Sequence, residues 1–285
     1  VWLQRAWIGL VMRLMFRAPG VQVAPVSMNG VSGVAAASPG SDHSKVVLYL
    51  HGGGYCIGSP GAYRSTVTQL ARRTRARVIA PSYRLAPEHP HPAGLEDALS
   101  AYSWLLTQDI AADRIAIAGD SAGGGLALAT VLAIRDRGLP MPSSIVLISP
   151  CLDLTFTTPS IETNARLDPM LRPSWVRWCA RQYLGGLSAE HPACSPLFAD
   201  LKGLPPMLVQ VGSDEILLDD ATRIVKKSNA AGVDATLRVF ERLWHDFQVH
   251  AGVLDEADTA LDDIATFLLR QWEAEHRRAP EATTA

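Results

Sequence analysis

Six short apolar runs constrain what this chain can fold into. VVLYL at 46–50, RVIAPSY at 77–83, RIAIAG at 114–119, SIVLIS at 144–149, MLVQVG at 207–212 and TLRVF at 236–240 are rich in β-branched residues. Runs with little polar alternation fit strands buried on both faces, the usual state of strands in a parallel sheet. Helical patterns near 61–74, 93–108, 122–137, 216–231 and 254–274 fill most of the intervals. Such alternation predicts an α/β architecture, a mostly parallel sheet with helices on both sides. A hairpin signal comes first, with Asn29-Gly30 between two strand-like runs in VQVAPVSMNGVSGVAAAS. No repeat of fixed period and no low-complexity linker interrupts the order.

The rhythm fails once. Between the strand ending near Pro150 and the one starting near Pro206 the sequence is helix-like, and it includes SWVRWCARQYLGG. An insertion beyond a strand's carboxyl end lies where ligands bind in open α/β sheets. It reads as a helical cap of residues 152–202, joined by an N-terminal amphipathic block, residues 1–20. Residues 21–151 and 203–277 then form the core as one domain. The alternative is a purely structural appendage.

Charge excludes several classes of partner. Lys plus Arg number 26 against 28 Asp plus Glu, a net charge of −2. That balance offers no general attraction for nucleic acid or an anionic membrane. The longest apolar run near the start, Ala6 to Met12, is too short to span a bilayer, so no integral membrane segment is expected. Cys56, Cys151, Cys179 and Cys194 lie far apart with no C-x-x-C pair. They read as buried thiols rather than a disulfide framework or a metal site. A cytoplasmic location is the expectation, with export left open because the chain starts at Val1. A homodimer is the assembly left open.

Gly119-Asp120-Ser121-Ala122-Gly123 is a G-x-S-x-G sequence between a predicted strand and a predicted helix. A serine on that abrupt turn is held in strained backbone with its hydroxyl above the sheet, and its neighbours must be small. The competing reading is a glycine-rich helix start that binds phosphate. A serine hydroxyl needs a base. His245, in the loop directly after the last strand, reaches the same sheet edge, unlike His43, His89, His91, His191, His250 and His276. The acid that would orient it is assigned to Asp214, in the turn after MLVQVG. Asp219 and Asp220 suit a helix start, and Glu215 is expected to point elsewhere.

Together these residues resemble the hormone-sensitive-lipase family of α/β-hydrolase carboxylesterases, its bacterial branch (family IV) especially. The resemblance rests on HGGG at 51–54, SYRLAPEHPHPAGLEDA at 82–98, GDSAGG at 119–124, GSDEILLDD at 212–220 and HDF at 245–247. It implies an α/β-hydrolase fold of about eight strands and hydrolysis of a small-molecule ester with a short-to-medium acyl group. No cofactor and no metal are implied. By motif, Ser121 is the nucleophile, His245 the base and Asp214 the acid. Two positions depart from the pattern: Glu215 stands where proline is usual, and Asp246 where glycine is usual.

Three glycines after a core strand let the backbone approach a substrate oxygen closely. The N–H groups of Gly53, Gly54 and Ala122 are therefore assigned as an oxyanion hole, with His51 as an anchor for the loop. Trp178 and Tyr183 of the insertion are the expected pocket lining. Arg84 and Glu88 are expected to brace loops. An amidase or peptidase on the same fold, or a non-catalytic small-molecule receptor, are the rival functions.

Overall fold

Pairing order and strand direction explain why distant parts of this chain meet. The computed structural model describes residues 1–12 and 15–278. Residues 13 and 14 of the expected N-terminal cap block lie outside them. The first half runs α1 (Trp2–Met12), β1 (Gln22–Met28), β2 (Val31–Ala37), β3 (Asp42–Leu50), α2 (Arg64–Thr74), β4 (Ala76–Pro81), α3 (Ala93–Leu106) and β5 (Ile115–Asp120). The second runs α4 (Ala122–Asp136), β6 (Ser144–Ile148), α5 (Pro159–Thr163), α6 (Pro173–Tyr183), β7 (Met207–Gly212), α7 (Leu218–Ala230), β8 (Ala235–Phe240) and α8 (Asp255–Arg278).

Eight strands form one sheet in the order β1-β2-β4-β3-β5-β6-β7-β8. The β1–β2 and β2–β4 pairs are antiparallel and all the others are parallel. The β1–β2 turn is Asn29-Gly30, both with positive φ, as a two-residue hairpin loop requires. Because β3, β5, β6, β7 and β8 run the same way, the chain leaves all five at one edge. Leu50 of β3 lies beside Gly119 of β5, and Asp120 beside Ile148 of β6. The loops that follow therefore start level with one another.

Alternation along the strands builds a core on each face. In β3, Val46, Leu48 and Leu50 join the core that packs α3, α4, α7 and the insertion. Val47 and Tyr49 join the other, under α2 and α8, with Leu261, Leu268 and Trp272. Burying each large aliphatic side chain contributes about 1.5–3 kcal/mol, so the two faces together fix the strand register. The four cysteines are buried and free. Among the described residues no helix is long and apolar enough to cross a membrane.

One contact sets the height of α4 over the sheet. A Cβ on Gly123 would collide with the carbonyl oxygens of Leu50 and His51, and one on Gly119 with the Gly123 carbonyl. Only bare backbone lets α4 start so close to the ends of β3 and β5. Gly123→Ala is expected to destabilise the protein by about 1–3 kcal/mol, the usual cost of overpacking, despite the higher helix propensity of alanine. Urea unfolding followed by circular dichroism measures it; an unchanged or raised midpoint would contradict this packing.

Candidate active site

Ser121 follows β5 directly, with φ 53° and ψ −124°. This is a sparsely populated conformation for a residue with a side chain. It persists because both backbone groups are held. The Ser121 N–H donates to Ile148 O at 2.8 Å, and its carbonyl accepts from Gly124, Gly125 and Cys151 at 3.0, 3.2 and 2.9 Å. The turn thus pushes Oγ out over the edge of the sheet.

His245 sits in the turn after β8 and is only 3% exposed. Its Nε2 lies 2.9 Å from Ser121 Oγ. Its Nδ1 lies 2.9 Å from Oε2 of Glu215, a fully buried carboxylate in the turn after β7. The other oxygen, Oε1, accepts from Ser149 Oγ at 2.8 Å and from the Gly212 N–H at 2.6 Å. Burial pushes the Glu215 carboxyl up, and the hydrogen bond and charge of His245 act against that.

This corrects the assignment of Asp214. Its side chain is half-exposed and accepts from Ser213 Oγ at 2.9 Å, while its N–H donates to Leu243 O. The turn rotates by one residue relative to the expectation, so Glu215 faces the imidazole. Asn164 and Asp168 of the insertion keep this rotation in place. Asn164 Nδ2 donates to the Ser213 and Glu215 carbonyls, both at 3.0 Å, and Asp168 Oδ2 accepts from Ile216 N–H at 3.1 Å. Asp219 points away and accepts from Ser160 N–H at 2.8 Å.

Sequence reasoning missed Ser149 as well as Glu215. Ser149 stands at the carboxyl end of β6 with φ 43°. Its hydroxyl donates to Glu215 and accepts from the Asp246 N–H at 3.2 Å. The available signal was a polar residue ending an apolar run at the functional edge.

The HGGG loop leaves β3 beside Ser121. His51 is buried between Tyr63 and Tyr83, with ring centroids 5.5 and 4.4 Å away, and its Nδ1 lies 2.8 Å from Gly52 O. Burial pushes its pKa down to about 4, so it is a neutral anchor. Gly52 N–H donates to both Asp120 oxygens at 3.0 Å, and Tyr49 OH donates to Oδ1. Gly53 has φ 117°, and a Cβ there would collide with the Ile57 carbonyl, so glycine is required. A Cβ on Gly54 would sit 2.7 Å from Cys179 Sγ of α6. From the other side Arg5 of α1 donates to Cys56 O and Ala86 O at 2.8 and 2.9 Å. It also makes a two-pronged pair with Glu88 at 3.0 and 2.7 Å.

Two cavities flank Ser121. The larger, about 400 Å³, is bordered by Gly53, Ile57, Trp175, His245 and Asp246. The smaller, about 20 Å³, is bordered by Gly54, Ala122, Phe156, Trp175 and Cys179. Trp178 and Tyr183 border neither. Tyr183 is buried and stacks on Tyr55 at 3.7 Å, and Trp178 packs half-buried against the core. On α6 the face carrying Trp175 and Cys179 meets the site, one helical turn apart. Arg84 braces as expected, bonded to Asp97 and Glu96.

A hydroxyl bonded to an imidazole, itself backed by a buried carboxylate, is an arrangement that can form a covalent acyl intermediate. The model of an alpha/beta hydrolase fold family matches residues 47–249. An esterase of Acinetobacter venetianus is 40% identical over 256 residues, covering 90% of this chain and 84% of the relative. An acetyl-hydrolase of Streptomyces hygroscopicus is 40% identical over 81% of this chain and 77% of its own. Among solved structures, an esterase from the bacterial hormone-sensitive lipase family superposes with a TM-score of 0.92 at 43% identity, covering 94% of this chain and 90% of that one. A hormone-sensitive lipase from a metagenome library reaches 0.93 at 38% identity, over 95% and 91% of the two chains. Motifs, topology and relatives agree: the chain belongs to the α/β-hydrolase family and, within it, to the bacterial hormone-sensitive-lipase branch of ester hydrolases.

Proposed function

We propose that this protein hydrolyses carboxylic esters of short acids, with Ser121 as nucleophile, His245 as base and Glu215 as the acid that orients it. The observation that carries the reading is the unbroken line Ser121 Oγ–His245–Glu215, with both contacts at 2.9 Å. Ser121 attacks the ester carbonyl as its proton moves to Nε2. That proton passes to the leaving alcohol, and a water activated by His245 then releases the acid. Glu215 holds the Nδ1–H tautomer and stabilises the imidazolium.

The N–H groups of Gly53, Gly54 and Ala122 form the oxyanion hole in this reading. Support comes from the positive φ of both glycines and from their placement, with Ala122, on either side of Ser121. Donors of this kind contribute about 3–4 kcal/mol each to the transition state. Residues 1–20 and 152–202 act as the cap, the described part of which presses Arg5 and Cys179 onto the loop.

The two cavities divide the substrate. His245 must reach the leaving oxygen, and it borders only the larger one, so the alcohol part lies there. The acyl chain is left with the smaller, apolar cavity, whose 20 Å³ is room for about one or two water-sized groups. That favours the short end of the expected acyl range, in keeping with the acetyl-hydrolase among the relatives.

Ser121→Ala is expected to abolish turnover of p-nitrophenyl esters with little change in thermal midpoint, and residual turnover near wild type would refute the assignment. In an acyl series, acetate and propionate should exceed octanoate in kcat/KM by about tenfold or more, since one misfit methylene alone costs on the order of tenfold. A maximum at octanoate or longer would overturn the cavity assignment, and faster turnover of the matching anilides would favour an amidase. Glu215→Gln should lower kcat by on the order of 10⁴, as loss of the orienting acid does elsewhere, while Asp214→Asn stays close to wild type. The reverse result would return the role to Asp214.

A further inference from the structure

Asp246 places a second carboxylate on the imidazole. Its Oδ2 lies 3.1 Å from His245 Nε2, the nitrogen that also faces Ser121. Asp246 is 7% exposed, borders the larger cavity, and its Oδ1 is buried without a hydrogen-bond partner among the described residues. The residue is held in place by its backbone, with φ 55° and ψ 31° and an N–H bonded to Ser149 Oγ. Aspartate tolerates that left-handed conformation better than most residues.

A proton count gives the contact its meaning. With Nδ1–H committed to Glu215, a neutral imidazole offers Asp246 only the Nε2 lone pair. A lone pair beside a carboxylate at 3.1 Å is repulsive; the contact is attractive only when Nε2 is protonated and the ring carries its positive charge. We propose that Asp246 is a positioning residue whose charge, beside His245 Nε2, holds a proton on that nitrogen in the free enzyme, so that His245 becomes a base only when this proton leaves to solvent. This rests on His245 being the catalytic base. Once the proton is lost, Nε2 is free to accept from Ser121, and Asp246 then stabilises the imidazolium formed during attack.

Among the described residues the surroundings supply no competing cation. Facing His245 are Glu215 after β7, Asp120 at the end of β5 and Asp246 on its own turn, with Tyr49 and Tyr63 close to the two aspartates. Arg172 borders the same cavity, but its Nη1 is bonded to the carbonyls of Ala165, Asp168 and Leu171. Burial pulls the His245 pKa down; the charge and hydrogen bond of Asp246, then those of Glu215, outweigh it and hold the value well above the ordinary one. Asp120 is pushed well up, by burial first and by Asp246 second.

The consequence is a working range displaced to alkaline pH. Removing the Asp246 charge lowers the imidazolium pKa, so neutral base appears at lower pH. The test compares wild type with Asp246→Asn and Asp246→Gly. One arm follows the acid limb of kcat/KM for p-nitrophenyl acetate. The other follows the His245 ring signal by NMR in a Ser121→Ala background, with and without the Asp246 change. Both midpoints are expected to fall by about one to two pH units, the usual effect of removing one charge within ~4–6 Å. A fall of less than half a unit in either folded variant overturns the proposal. Asp246→Gly suits the positive φ and serves if the asparagine variant does not fold. The NMR arm needs no turnover, so a wild type inert towards esters would refute the function while still deciding the role of Asp246.

Discussion

A carboxylate removed from water must be bonded on all sides or lose its charge, and Glu215 imposes that demand on the whole site. It is fully buried, and its oxygens are met by three groups from three places: Ser149 after β6, the Gly212 N–H at the end of β7, and His245 after β8. No local segment could provide them. They converge because parallel strands deliver their carboxyl ends to one edge, in a register that sets Ile148 level with Gln210 and Gly212 level with Phe240. The imidazole is oriented because Glu215 cannot move, and Ser121 is paired because the imidazole is oriented.

The insertion enters this network from above. Asn164 and Asp168 fix the backbone on either side of Glu215, and the same segment supplies Trp175 and Cys179 to the cavity walls. A segment that lines the small cavity beside Ser121 therefore also holds the turn of Glu215. The two functions are coupled through a few hydrogen bonds, each worth about 0.5–1.5 kcal/mol. Substitutions in 152–202 can then alter kcat as well as substrate preference.

Much of this architecture could be read from residue order alone. Continuous β-branched runs specify buried strands, and the alternation with helices specifies parallel pairing, so the edge on which Ser121 and His245 meet follows from topology. The glycines could be read as well, because only close backbone approach explains three of them after Leu50. The Asp214–Glu215 choice was not legible. Adjacent residues in a turn point in different directions, and which one faces inward depends on distant contacts with Asn164, Asp168 and Ser149. The placement of Trp178 and Tyr183 at the pocket failed for a related reason. Helical spacing groups Trp175 with Cys179 on one face but does not say which face of α6 turns to the site.

The two departures from the family pattern, Glu215 and Asp246, are joined by one atom. Ser149 Oγ donates its proton to Glu215 Oε1 and accepts the Asp246 N–H, so one hydroxyl sets the positions of both acids flanking the imidazole. With its single proton given to Glu215, that hydroxyl has only lone pairs left for Asp246, and it fixes the Asp246 backbone without bonding the carboxylate, whose Oδ1 has no partner among the described residues. The carboxylate then has His245 as the partner the structure gives it. Glycine at 246 would leave Nε2 to Ser121 alone; aspartate makes the protonation state of the base part of the resting structure. The hydroxyl that completes the bonding of buried Glu215 therefore also holds a second carboxylate beside His245.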